Sequence, residues 1–292
     1  MQALRLLFGF GPLVVLPAIV LRSVPATWPK WAIMWSLAFA IFAACKWLTW
    51  YRSGPTKAPW WLHLGYLVVW PGLDAGAFLN PQPGKVKRPH PNEWLSASAK
   101  LFAGVVLFWV IARMIPEDLG IIRGWIGMIG MILMLHFGSF HLLSCAWRAA
   151  GIQARPLMNK PLWSDSLSEF WGKRWNTAFR DITHRFLFQP LSRHMSPQWA
   201  VAIGFVLSGL IHDLVISVPS GGGYGGPTMF FIVQGAGLLV ERSSTGQSLG
   251  LARGWKGGLF TKLALILPAY GLFHPPFIRS IILPFMHALG AT

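Results

Sequence analysis

Charge is what this sequence has least of. Only 12% of its 292 residues are Asp, Glu, Lys or Arg, against about 25% in soluble domains. A water-facing surface cannot be assembled from that supply, so lipid must cover much of the chain. Acids are the scarcer sign: nine Asp plus Glu stand against 25 Lys plus Arg, a formal net charge of +16. Only two cysteines are present, Cys45 and Cys145. They imply neither a disulfide framework nor a Cys-x-x-Cys metal site. H-E-x-x-H and the EF-hand loop are also missing, so no metal is expected. The apolar run after Arg5 could mimic a signal peptide, but it holds Pro12 and Pro17 and lacks an A-x-A cleavage site. It reads as a retained span.

Apolar and aromatic residues fill the space that charge leaves. Hydrophobic residues make up 54%, mean hydropathy is +0.50, and the 17 tryptophans suit membrane–water interfaces. Apolar runs lie at 6–21, 31–45, 58–73, 101–112, 124–147, 195–212, 228–240, 263–278 and 280–292. None alternates with period two, which excludes barrel strands. The expectation is an all-α polytopic membrane protein, one integral membrane domain over 1–292, with about eight or nine transmembrane helices. Some of these are kinked or re-entrant, the last pair broken at His274-Pro275-Pro276.

Loop charge sets the orientation. Residues 148–197 carry eight Lys or Arg and three acids, Asp165, Glu169 and Asp181, and are expected to face the cytoplasm. Lys85, Lys87, Arg88 and Lys100 put 80–100 on the same side. The basic residues sit between apolar runs rather than on a soluble face, so membrane lipids are the expected partner and nucleic acid is not.

One charged stretch does not span. Residues 156–180 read PLMNKPLWSDSLSEFWGKRWNTAFR. Ser166 followed by Glu169 has the capping-box form. Leu167, Phe170, Trp171, Ala178 and Phe179 recur at helical spacing, while Glu169, Lys173, Asn176 and Arg180 share the other face. The pattern predicts an amphipathic helix lying in the interface. On periodicity alone it can be a simple anchor.

The run 198–218 carries His212 and Asp213 inside a membrane helix. An Asp at membrane depth costs about 2.5–3.5 kcal/mol on insertion scales, so such residues face a cavity, a partner or a pathway. Gly204, Ser208 and His212 share one face at four-residue spacing, which allows close packing or an open channel beside the imidazole. An imidazole in an apolar passage can serve as a general base. A hydrogen-bonded core histidine fits the same residues. Asp213, about 100 degrees around the helix, is expected to pair with another helix rather than with His212.

Taken together, the sequence resembles the membrane-bound O-acyltransferase superfamily, most closely its wax synthase-like branch. The matching text is P-L-x-x-x-P and S-L-S-E-F-W-G-K-R-W-N-x-x-F-R within 156–180, S-G-L-I-H-D at 208–213, and F-F-I-V-Q-G at 230–235. Trp70-Pro71-Gly72-Leu73-Asp74-Ala75 with Phe78 resembles an upstream element of that branch. The resemblance implies transfer of a fatty acyl group from acyl-CoA, the co-substrate, to the hydroxyl of a long-chain alcohol, with no further cofactor and with the acyl chain in an internal tunnel. It implies His212 and Asn176 as the catalytic pair. Lys173, Arg174 and Arg180 are expected at the CoA phosphates on charge grounds. Trp171, Trp175 and Phe170 are expected to wall the acyl entrance, with Ser208 among the substrate-binding residues. The H-x4-D and H-H-x3-D-G signatures of other acyltransferase classes are absent.

Two alternatives remain open at this level. The hydroxyl acceptor can be a sterol, diacylglycerol, glycan or small metabolite, or the chain can be a non-catalytic transporter that uses Asp213 and His212 as a polar relay. Short length and minimal tails lead to the expectation of a bacterial inner membrane, or the endoplasmic reticulum if the chain is eukaryotic. Two further motifs read as coincidence. Gly221-x-Gly223-x-x-Gly226 follows a membrane helix rather than a strand, and Gly246-Gln247-Ser248-Leu249-Gly250 lacks the strand–turn–helix setting of a nucleophile elbow.

Overall fold

A chain immersed in lipid must satisfy its backbone hydrogen bonds internally. Helix is accordingly the regular structure of this protein, and no strand occurs among the described residues. The computed structural model describes residues 2–25, 27–82, 84 and 86–292, with backbone only at 2, 3 and 5. Lys85 lies outside the described residues.

Contacts divide the chain into two units, one of residues up to 157 together with 283–292, the other of 158–282. In the first unit lie α1 (Pro12–Ser23), α2 (Lys30–Arg52), α3 (Trp60–Val69), α4 (Pro91–Met114) and α5 (Glu117–Ala149). In the second lie α6 (Thr177–Thr183), α7 (Pro197–Ser220), α8 (Gly226–Arg242) and α9 (Gly254–Leu272). Helix α10 (Pro275–Ala288) follows α9, and shorter helices lie between several of these among the described residues.

By length and composition, four helices among the described residues can cross a membrane alone: α2, α4, α5 and α7. The pair α9 and α10, bent by 59°, makes a fifth if it counts as one span. This is fewer than the apolar runs suggested, for a local reason: α1 and α3 are short apolar helices, and α8 stops at 17 residues with Glu241 and Arg242 in its last turn. The α9–α10 bend follows from Pro275-Pro276, since His274 is driven to extended backbone by the proline after it (φ −65°, ψ 159°).

Within the first unit, α4 and α5 approach through glycine. A Cβ on Gly104 would lie 2.6 Å from the Gly130 carbonyl oxygen, and one on Gly138 would lie 2.8 Å from Leu101 Cα. Small residues let membrane helices pack backbone to backbone. His90 and Glu93 form a capping box at the start of α4, with Pro91 in its first turn.

Lys46 lies in the C-terminal half of α2 and is 2% exposed. Its Nζ donates to the carbonyls of Trp70 and Gly72, each at 2.8 Å, and stands 3.3 Å from the Tyr66 ring centroid. The ammonium thus finds two carbonyls and one aromatic face, all in one unit. It supports the non-helical 70–74 turn, whose carbonyls have no helical partner at that point. Asp74, in the same turn, caps a short helix by accepting from the Ala77 N–H at 3.1 Å.

Replacing Lys46 with Met keeps the side-chain length but leaves both carbonyls without their charged donor. The expected loss is about 2–4 kcal/mol, since charged hydrogen bonds are worth about 1.5–3 each. Thermal unfolding in detergent measures it; an unchanged Tm would mean that the turn does not depend on the ammonium.

Candidate active site

The sequence-predicted site residues all fall in the second unit. His212 sits at the point where α7 changes from α-helical to π-helical winding, which runs over Asp213–Ser217. Such π segments are frequent at functional sites. His212 Nδ1 is 2.6 Å from the Ser208 carbonyl oxygen, one turn back. A carbonyl can only accept, so Nδ1 carries the proton and Nε2 keeps its lone pair. The imidazole also packs on Phe231 of α8, with ring centroids 4.4 Å apart. Ser208 therefore contributes through its backbone, setting the tautomer.

Phe231 is shared. Trp171 packs on its ring at 5.8 Å, edge-packs on Phe205 at 5.7 Å, and donates from Nε1 to Gln234 Oε1 at 3.4 Å. Gln234, fully buried, in turn donates to the Ala264 carbonyl at 2.7 Å. Phe231 thus joins His212 to the FWGKRWN stretch.

That stretch is not the single amphipathic helix the periodicity predicts. Ser166 Oγ accepts from the Glu169 N–H at 3.0 Å and starts a short helix over Leu167–Glu169, which continues as a π segment over Phe170–Arg174. Trp175 is extended and Asn176 is left-handed (φ 40°, ψ 61°), so the helix stops and α6 begins anew. Non-Gly residues in this region are uncommon, with Asn among the few tolerated. The capping box is also displaced. Glu169 accepts from the Asp165 N–H at 2.8 Å rather than from Ser166. The Leu167 and Phe170 side chains are buried as the stripe predicts, but Phe179, beyond the break, is exposed.

The break gives Asn176 a defined orientation. Its Oδ1 accepts from the Phe179 N–H at 3.5 Å as the cap of α6, and its N–H points to Met158 Sδ at 3.2 Å. Donor chemistry from this carboxamide falls to Nδ2. Trp175 stacks on Phe170 at 5.5 Å.

The three cations expected at phosphates differ in their engagements. Lys173 is exposed. Arg174 pairs with Glu169 at 2.8 Å and donates to the Asn159 and Lys160 carbonyls, each at 3.3 Å. Arg180 donates to the Gly172 carbonyl at 2.7 Å and pairs with Asp181 at 2.6 Å. Two of the three thus hold the loop's own backbone.

Asp213 pairs as expected with another helix. Its carboxylate accepts from Ser217 Oγ at 2.7 Å, the Gly225 N–H at 2.9 Å, the Thr228 N–H at 3.0 Å and the Thr228 hydroxyl. The last three are donors of the α8 N-terminus, where a negative charge is favoured, while Ser217 lies one turn on in α7 itself. Gly209 packs against Thr228, where a Cβ would lie 2.6 Å from its Cα. The close-packed glycine of α7 is therefore Gly209. Gly204, on the His212 face, would meet only Leu187 at 3.9 Å.

Glu241 went unnoticed in the sequence. It is 1% exposed at the end of α8, and its carboxylate accepts from the Leu167 N–H at 2.5 Å and the Ser168 N–H at 3.2 Å. The available signal was an acid at the end of an apolar helix. Phe231 and Gln234 stand in the quoted FFIVQG string, but nothing in their spacing assigned them a role.

The glycine-rich 221–226 segment is a loop, with positive φ at Gly221, Gly223 and Gly225. Ser248 lies in a short helix and donates to the Thr245 carbonyl at 2.8 Å. In the first unit Glu93, His141 and Cys145 bring metal-capable atoms within 4.8 Å of one another. Arg148 pairs with Glu93 there at 2.5 Å and reaches Cys145 Sγ at 3.5 Å, so a guanidinium already supplies the local positive charge.

Two tests follow. Glu241→Gln should weaken the hold of α8 on 165–176 by about 2 kcal/mol, read as faster hydrogen exchange at Leu167 and Ser168; unchanged exchange would dismiss the clamp. Glu169 is held below the ordinary carboxylate range, first by the Asp165 N–H and then by Arg174. Its contribution to stability is present above the unfolded value, about 4.3, and is lost as pH falls through the lowered folded value. Glu169→Gln should flatten that acid limb of a stability–pH curve, and an unaltered limb would reject the assignment.

Residues 154–233 match the model of the "Membrane bound O-acyl transferase family". The chain is 30% identical over 149 residues to a probable long-chain-alcohol O-fatty-acyltransferase 9 of Arabidopsis thaliana, covering 45% of this chain and 42% of that protein. It is 27% identical over 222 residues to a long-chain-alcohol O-fatty-acyltransferase of Simmondsia chinensis, covering 67% and 59%. It is also 34% identical over 71 residues to acyl-CoA–sterol O-acyltransferase 1 of Arabidopsis thaliana, covering 22% and 21%. The matched segment thus spans about half the length of the first two relatives.

Proposed function

We propose that this chain, which belongs to the membrane bound O-acyl transferase family, transfers a fatty acyl group from acyl-CoA to the hydroxyl of a long-chain alcohol, with His212 as the general base. The observation that carries the reading is the tautomer of His212: Nδ1 is committed to the Ser208 carbonyl at 2.6 Å, which leaves the Nε2 lone pair for a substrate proton. The alcohol oxygen attacks the thioester carbonyl as Nε2 takes its proton. The C–S bond then breaks, and the CoA thiolate leaves and recovers the proton from the imidazolium. Asn176 Nδ2 donates to the oxygen on which negative charge develops. The apolar chain lies in a tunnel beside His212, walled by Trp171 and Trp175, where each buried methylene contributes about 0.8 kcal/mol. Lys173, with Arg174 and Arg180 behind it, receives the CoA phosphates. No further cofactor takes part. The shorter helices α1, α3 and α8 and the bent pair bring the membrane passages to eight or nine.

The alcohol acceptor is supported by the names of the two longer matches. The sterol acyltransferase match supports a second acceptor class over a shorter segment. The transporter reading is less well supported, because the Asp213 carboxylate accepts from three donors at the start of α8 and from Ser217 of its own helix.

The test uses membranes containing the full chain, labelled acyl-CoA and either a fatty alcohol or a sterol. Wild type should form the ester, and His212→Ala should lose at least about a hundredfold in turnover. Asn176→Asp keeps an acceptor for the Phe179 N–H but removes the Nδ2 donor, and should lose about a hundredfold. Wild-type turnover in both variants would reject the proposed chemistry.

A further inference from the structure

His274 marks the bend between α9 and α10, and its side chain has two partners. Nδ1 accepts from the Phe277 N–H at 3.1 Å, capping the turn that starts at Pro275. The proton of the neutral ring is therefore on Nε2, 3.2 Å from Ser217 Oγ. The ring is 5% exposed, and a Cβ on Gly223 would lie 2.2 Å from it, at a backbone φ of +72°. The glycine loop before α8 is thus moulded to this imidazole.

Ser217 has one hydroxyl proton and two acceptors for it, Asp213 Oδ1 at 2.7 Å and the Gly223 carbonyl at 3.3 Å. A donor fixed on the oxygen from the His274 side restricts that choice. We propose that His274 is a positioning residue for His212: its Nε2–H holds the Ser217 hydroxyl so that it donates to Asp213, and Asp213 in turn locks the start of α8 against α7. The consequence reaches His212 through two short steps. Asp213 is the next residue in the chain, and Thr228, which it binds, lies one helical turn before Phe231, the ring against which His212 packs. The inference rests on the proposed role of His212, but its geometry involves neither substrate nor Asn176.

Two substitutions separate this role from simple capping. In His274→Asn, Oδ1 can still accept from the Phe277 N–H, but the side chain is too short to reach Ser217. In His274→Gln, the terminal amide reaches Ser217 and the cap is lost. The variants are compared in the full-length protein by kcat and KM for acyl-CoA and fatty alcohol. The rate at which diethyl pyrocarbonate modifies His212, followed by mass spectrometry, is measured alongside. His274→Asn should lose about tenfold in kcat with both KM values within about twofold, and His274→Gln should stay within about threefold of wild type. The carbethoxylation rate of His212 should change by about threefold or more in the Asn variant only. Ser217→Ala should behave like His274→Asn. The reverse order, Asn near wild type and Gln impaired, would overturn the proposal in favour of a cap. So would equal behaviour of both variants. If wild type forms no ester, the acyltransfer reading fails on its own, and the His212 modification rates decide the positioning role.

Discussion

A carboxylate at membrane depth must find its hydrogen-bond donors inside the protein, and in the second unit two of them do so on backbone N–H groups of other segments. Asp213 of α7 takes the N-terminal donors of α8. Glu241, near the opposite end of α8, takes the first donors of the 167–174 segment. Helix α8 is thereby fixed at one end to the helix that carries His212 and at the other to the stretch that leads to Asn176. Between these ends Phe231 and Gln234 meet His212 and Trp171. Both carboxylates are engaged in aligning one segment against another.

The local irregularities of this unit fall at His212 and Asn176, the two residues of the proposed pair. A regular helix through 166–180 would have kept Asn176 on a polar stripe beside Glu169, Lys173 and Arg180. The left-handed residue at 176 instead ends one segment and starts the next, and the cap bond to Phe179 orients the carboxamide. At His212 the bond to the Ser208 carbonyl assigns the two ring nitrogens different tasks. Both are backbone effects on side chains: a carbonyl or an N–H is fixed by the helix and acts as a rigid partner for a group that would otherwise rotate.

Cations in the first unit obey the same rule with the sign reversed. Lys46 finds two carbonyls and a ring face, and Arg148 finds Glu93, the Lys87 carbonyl and Ser144. The net positive charge of the chain is therefore not all at its surface. Part of it is spent inside, holding non-helical backbone where water is scarce. Arg174 and Arg180 do similar work in the second unit, bound to the carbonyls of their own loop.

Composition by itself placed the chain in a membrane, and the absence of period-two alternation made it helical, because in lipid the backbone is satisfied only as helix or as closed barrel. The rarity of acids singled out Asp213, and its angular offset from His212 foretold a partner on another helix. The spacing of Ser166 and Glu169 foretold a helix start. What sequence periodicity could not reveal was the break at Trp175-Asn176, because a left-handed residue leaves the apolar pattern intact. It also missed Glu241, whose partners lie more than 70 residues back along the chain. Apolar runs report hydropathy, while the four or five spans that stand by length and composition among the described residues also require unbroken helix. Those features belong to tertiary structure for one physical reason: they depend on which backbone donors and acceptors are brought to a buried side chain, and that is decided only when distant segments meet.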